Sequence, residues 1–117
     1  MRVLIMAKEG EQSETESAAS PTPEAMAEYQ KFNEELVKAG VVLGAGRLYP
    51  SSQSKRIRFD GKKRTVIDGP FAETKELVGG YWLWQVRSID EAVEWLKRAP
   101  FDGHTFEIRQ IVEMEGM

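Results

Sequence analysis

Two stretches of helical periodicity set among alternating apolar segments predict an α+β sandwich built as a single domain. Three observations carry this. Each helical stretch opens on a capping residue and closes at Gly or Pro, the segments around them repeat with period two, and an Asp-Gly pair joins two of those segments as a hairpin. The order strand, helix, strand, hairpin, strand, helix, strand gives an antiparallel sheet with two helices on one face and an inserted β-hairpin, the ferredoxin-like arrangement. A chain of 117 residues has room for one core, so residues 1–117 are read as one domain.

The first strand is Met1 to Ala7, whose apolar run stops at Lys8 and Glu9, too soon for a membrane span or a signal-peptide core. Residues 9–21 are acidic and polar without apolar periodicity and read as a flexible surface loop. Thr22 offers an N-cap with Pro23 behind it. Ala25, Tyr29, Phe32, Leu36 and Ala39 then recur at helical spacing until Gly40, so the first helix runs from Pro23 to Ala39. Val41 to Leu43 open a strand that continues past Gly44 and Gly46, which point to a bulge or close backbone approach, to Tyr49.

Arg56 to Phe59 and Arg64 to Ile67 flank Asp60-Gly61, a dipeptide suited to left-handed turn conformations. Pro70 cannot donate to a ladder, so the chain leaves the sheet there, with a short helical turn expected over Ala72 to Glu76 and a return through Gly79-Gly80. Tyr81 to Arg87 is the strongest strand. Ser88 and Glu91 form a capping box for a second helix carrying Ile89, Ala92, Val93, Leu96 and Ala99 up to Pro100. Phe106 to Met114 alternates as a last, half-exposed strand.

Two helices cover one face of such a sheet. Val3 and Ile5 alternate with Leu4 and Met6, and with Trp82 and Trp84 added the uncovered face is expected to be an apolar patch, which a homodimer packing sheet on sheet would bury.

Charge and composition narrow the function. Sixteen basic and 19 acidic residues of mixed sign, net charge −3, give no footprint for nucleic acid. The chain has no cysteine, hence no disulfide, thiolate nucleophile or cysteine-held metal, and no close His and carboxylate cluster for another metal site. The glycine pairs lack the spacing and context of a phosphate loop, so no cofactor is expected. A cytoplasmic protein without membrane partners is the expectation.

Asp68 is the leading polar candidate, a carboxylate at a strand end that would serve as general base or bind a ligand hydroxyl. Turn chemistry, with the carboxylate accepting backbone N–H groups two residues on, is the stronger competing reading. His104, the single histidine, follows Asp102-Gly103 and would move a proton if paired with Asp68 or Asp102. Arg47 and Arg109 suit a carboxylate ligand, or else salt bridges to Glu107, Glu113 or Asp68. Tyr29 would offer a hydroxyl to a cleft between helix and sheet, and Phe71, Glu73 and Tyr81 complete the candidate lining, with Glu73 and Thr74 equally suited to capping. Such a pocket would lie between the first helix, the hairpin end and the loop from Asp68 to Glu73.

The segment Val66 to Pro100, VIDGPFAETKELVGGYWLWQVRSIDEAVEWLKRAP, resembles the DGPF-domain proteins, a branch of the YCII-related family, and the likeness extends more weakly to NEELVKAGVVLGAGRLYP and to the last strand. The resemblance implies a ferredoxin-like fold assembling as a dimeric α/β barrel. In the YCII branch a His on the first helix and an Asp in a D-P motif look like an acid-base pair. Here Pro23 to Ala39 contains no His and Ala99 stands before Pro100, so that pair is not carried over. Members of the DGPF branch often accompany extracytoplasmic-function sigma factors, which implies a regulatory or protein-interaction module as the alternative to a small-molecule-binding protein or a metal-independent acid-base enzyme.

Overall fold

The computed structural model describes residues 1–8, 22–71, 78–101 and 103–113. Its elements are β1 (Arg2–Lys8), α1 (Pro23–Lys38), β2 (Val42–Arg47), a 3-10 turn (Ser51–Gln53), β3 (Lys55–Asp60), β4 (Lys63–Asp68), β5 (Val78–Gln85), α2 (Ile89–Lys97) and β6 (Phe106–Gln110). The expected acidic loop over 9–21 and the helical turn over 72–76 lie outside the described residues.

Four strands form one antiparallel sheet in the order β2-β5-β1-β6, and β3 and β4 form a separate two-stranded ribbon. Both helices start as their sequences dictate. The Thr22 side chain accepts the Ala25 N–H at 3.2 Å with Pro23 at the first helical position, and Ser88 Oγ accepts the Glu91 N–H at 3.1 Å. The Glu91 carboxylate reaches back to the Arg87 N–H at 2.7 Å, one residue before the cap. That bond, with the Arg87 guanidinium 3.2 Å away, holds the Glu91 carboxyl below its ordinary range.

The core lies between the helices and one sheet face: Val3 and Ile5 from β1, Phe32 and Leu36 from α1, Trp82 and Trp84 from β5, with Val41, Val86 and Ala92. Strand register explains the sorting, because Val3 pairs with Trp84 and Ile5 with Trp82, so all four share a face. This corrects the expectation that the two tryptophans add to the uncovered face. They are 4% and 0% exposed beneath the helices, and the open face carries Leu4, Met6, Tyr81 and Leu83 instead, paired as Leu4 with Leu83 and Met6 with Tyr81.

Further boundaries shift for identifiable reasons. Strand β5 begins at Val78, so Gly79 and Gly80 are part of the ladder rather than a return loop; a Cβ on Gly80 would sit 3.1 Å from the Gly46 carbonyl oxygen. The bulge in β2 falls between Val42 and Gly44, at Leu43. In the hairpin Asp60 pairs with Lys63, and only Gly61, with φ of 60°, is left-handed, so the two-residue turn is Gly61-Lys62. Strand β6 ends at Gln110, with one further bond from the Ile111 N–H to the Arg2 carbonyl, and Met114 lies outside the described residues.

No residue of β3 or β4 is buried. The ribbon is held at its base. The Gly69 N–H donates to the Ser54 carbonyl at 2.9 Å, the Phe71 N–H donates to Ser51 Oγ at 3.0 Å, and the Arg56 guanidinium lies 3.8 Å above the Phe71 ring. Gly69, joined to Pro70 by a cis peptide bond, passes so close to the 3-10 turn that an added Cβ would stand 1.7 Å from the Ser51 carbonyl oxygen. The Asp68 to Phe71 string is therefore a clasp between ribbon and body.

Candidate functional site

Where β1, β2 and β5 run past the first turns of α1, the sheet is floored by residues with little or no side chain: Ala7, Gly46, Gly79 and Gly80, with Ala25 above them. The space they leave is a cleft of ≈ 420 Å³ on the helix-covered side of the sheet. Large side chains wall it. The Tyr29 ring, on the inner side of α1, stacks over Trp82 with centroids 6.1 Å apart and planes 10° from parallel. Phe101, just past Pro100, tilts against Tyr29 and Trp82, each at 6.1 Å, and against Phe106 at 5.3 Å. His104 meets the Phe101 ring edge-on at 5.9 Å, and Met26 closes the α1 side.

Among the described residues that line the cleft, Lys8 and Arg47 carry charge and none is Asp or Glu. The Lys8 ammonium is 3.7 Å from Glu107, whereas Arg47, paired across the ladder with Gly80, lies on the same face as Trp82. The Trp82 indole N–H is buried without an acceptor among the described residues, as is that of Trp84 beneath it.

Four candidate residues, Tyr29, Arg47, Tyr81 and His104, line this cleft. Tyr81 differs in orientation. Alternation turns its ring to the opposite face from Trp82, where it lies over Gly46 so closely that a Cβ there would meet it at 2.8 Å. The other candidates are elsewhere. Asp68 is paired across the ribbon base with Lys55 at 2.5 Å and its side chain is 72% exposed. The turn reading of Asp68 fails in its detail, because the residue two positions on is Pro70, which has no N–H to give. Phe71 lies under Arg56 in the clasp, Arg109 on β6 is paired with Glu107, and Glu73 lies outside the described residues.

The cleft is therefore bounded by α1, the sheet and the segment from Pro100 to Phe106, not by the hairpin end. A smaller hollow of ≈ 270 Å³ does lie beside the ribbon base, lined among the described residues by Leu48 to Ser51, Gln53, Ser54 and Val78, none of them charged. Met26, Phe101 and Phe106 are lining residues that the sequence reading passed over. The signal was present in the spacing, since Phe101 and Phe106 bracket the lone histidine within six positions. Among the described residues no group of three His, Asp or Glu could hold a metal ion, and no helix is long and apolar enough to cross a membrane.

An antiparallel sheet with two helices on one face, an inserted ribbon and a cleft at the helix–sheet junction defines an α+β domain of ferredoxin-like type. The chain belongs to the YCII-related family, whose domain it matches over residues 1–115. It is 33% identical over 72 residues to an uncharacterised protein of Rhizobium meliloti, a match spanning 62% of this chain and 58% of that relative. Among solved structures it is similar to the 5-chloro-2-hydroxyhydroquinone dehydrochlorinase of Burkholderia phenoliruptrix, determined in complex with 2,5-dihydroxybenzoquinone: 16% identity, 92% of this chain and 91% of that one covered, TM-score 0.43.

Proposed function

We propose that this YCII-related protein is a homodimer that binds a small molecule in the helix–sheet cleft, with His104 at the cleft wall as the group able to give or take a proton. The observation that carries the reading is the convergence of Tyr29, Arg47 and His104, from three separate segments, on an open space floored by glycine and alanine. Acid-base work needs a proton-transferring group within hydrogen-bond reach of the ligand, and His104 supplies an imidazole to the cleft wall. Asp68, engaged with Lys55 and outside the lining, has no part in this reading. The dimer rests on the open sheet face, where Leu4, Met6, Tyr81 and Leu83 form an apolar patch that a second sheet would cover.

The test is a thermal-shift screen with a chemically mixed library, since a ligand that binds only the folded state raises the melting temperature. Ala25, exposed on α1 but facing the cleft, is replaced by Trp to fill the space without touching the core. Compounds that stabilise wild type and Asp68→Asn but not Ala25→Trp are expected. Compounds that stabilise all three equally, or none at all, refute the cleft. In that event the second reading, a protein-interaction module, stands on the ribbon, where Ile57, Phe59 and Val66 share one face and are 56%, 69% and 59% exposed.

A further inference from the structure

We infer that the open sheet face of each copy is covered by the β3–β4 ribbon of the other, an exchanged arm laid with its Ile57, Phe59 and Val66 side down. The inference rests on the homodimer reading and names what one copy lays on its partner. The ribbon's own pattern comes first. Cross-strand pairing gathers Ile57, Phe59 and Val66 on one face, between the Lys55–Asp68 pair at the base and the Arg64 guanidinium 4.5 Å above the Phe59 ring toward the tip. The other face holds Arg56, Arg58, Asp60, Lys63 and Thr65, with Ile67 its one apolar residue. An antiparallel pair sorted in this way is patterned to be covered on one side and wet on the other. Its own chain does not supply the cover, since no residue of either strand is buried. A two-stranded ribbon is marginally stable until something packs on it.

A second copy offers a surface of matching shape. On the open face the apolar side chains stand on the two central strands, Leu4 beside Leu83 and Met6 beside Tyr81. Outside them Glu107 and Arg109 occupy β6, while Gly44 and Gly46 leave β2 bare. The apolar stripe is therefore two strands wide, about 10 Å, and so is the ribbon. It is two rows long, as are the Ile57–Val66 and Phe59 rows of the arm. The glycine margin leaves room at the rim, because a Cβ on Gly44 would meet nothing nearer than the Leu83 Cβ at 4.0 Å. Charge then decides between ribbon on sheet and ribbon on ribbon. Residues 55–68 hold six of the 16 basic residues and two of the 19 acidic ones, net +4, which leaves −7 on the rest of the chain. Two ribbons repel, whereas a ribbon and the remainder of another copy attract. A two-fold axis repeats the contact, so both arms and both sheet faces are covered together.

The chain has no cysteine, so Thr65→Cys, on the wet face in mid-ribbon, takes a single nitroxide. Full chain carrying that label is mixed with isotope-labelled wild type, and amide broadening in the wild type reports contact between copies alone. Amides of β1 and β5 are expected to broaden more than those of α1 and α2 behind the sheet. Phe59→Ser, which replaces an exposed side chain and leaves the core untouched, should raise the dimer dissociation constant about tenfold or more in a light-scattering dilution series, the worth of burying one aromatic side chain. Thr65→Ser, on the wet face, should leave it within about twofold. A wild-type dimer whose β1 and β5 amides stay sharp, whose broadening falls on the other ribbon, or whose association survives Phe59→Ser overturns the exchanged arm and leaves the homodimer reading standing. A wild type that stays monomeric at every concentration overturns both.

Discussion

Replacing Gly69 by alanine separates a clasp from a catalytic loop. The added methyl would stand 1.7 Å from the Ser51 carbonyl oxygen and 2.7 Å from its carbon, where real contacts do not fall below 3.0 Å, so the two backbones must part by more than an ångström. That oxygen is already engaged, accepting the Ser54 N–H at 2.9 Å and the Ser54 hydroxyl at 2.7 Å. Losing both bonds at about 1 kcal/mol each, with about 1 to 3 kcal/mol of overpacking strain, puts the clash at about 3 to 5 kcal/mol. Because no residue of the ribbon is buried, releasing its base is the easier escape, and an unsupported two-stranded ribbon has little stability of its own. Urea denaturation of Gly69→Ala should therefore show a loss of about 1 to 3 kcal/mol, while hydrogen exchange shows the Lys55 to Asp68 amides losing protection. Stability within about 0.5 kcal/mol of wild type with the ribbon amides still protected would refute the clasp.

Three other outcomes follow from the same geometry. Asp68→Asn breaks an exposed pair with Lys55 and should change stability by no more than about 1 kcal/mol, with ligand shifts at the cleft unaltered, as thermal denaturation with and without a compound that stabilises wild type would show. Glu91→Ala removes the bond to the Arg87 N–H and should cost about 1 kcal/mol at neutral pH. Since the folded carboxyl titrates below its ordinary range, that difference is fully present above the range and should vanish as pH falls through the lowered one, which a pH series of urea denaturations checks. Light scattering should show dimers for wild type and monomers for Leu83→Asp, which lies in the middle of the open sheet face opposite Leu4.

The fold was legible because its punctuation is local. Thr22-Pro23 and Ser88 with Glu91 act on backbone groups within a few residues, so sequence neighbours suffice to place both helices. The side of the sheet on which Trp82 and Trp84 sit was not legible, because Tyr81 and Leu83 alternate with them and both sets are apolar. Only pairing with Val3 and Ile5 breaks the tie. The site was half legible for the same reason. Arg47 stood out as a cation among apolar strand neighbours and His104 as the single histidine, but nothing within the chain's local order shows that they share a cleft, or that Asp68 faces Lys55 thirteen positions away instead. Conspicuous sequence marked the clasp, where close backbone passage restricts residue choice, and the cleft was built from common residues brought together over long distances.

The position of β1 has a bearing on biogenesis. It lies between β5 and β6 in the sheet, so it is made well before either partner, one about eighty residues later and the other about a hundred residues later. At about 5 to 20 residues per second of synthesis, both of its edges stay unpaired for several seconds, with Val3 and Ile5 bare between them. A strand in that state is a template for neighbouring chains. The yield of soluble protein should thus depend on how fast the ribosome reaches Gln110, and slow codons between β2 and β6 should lower it without altering one residue of the product.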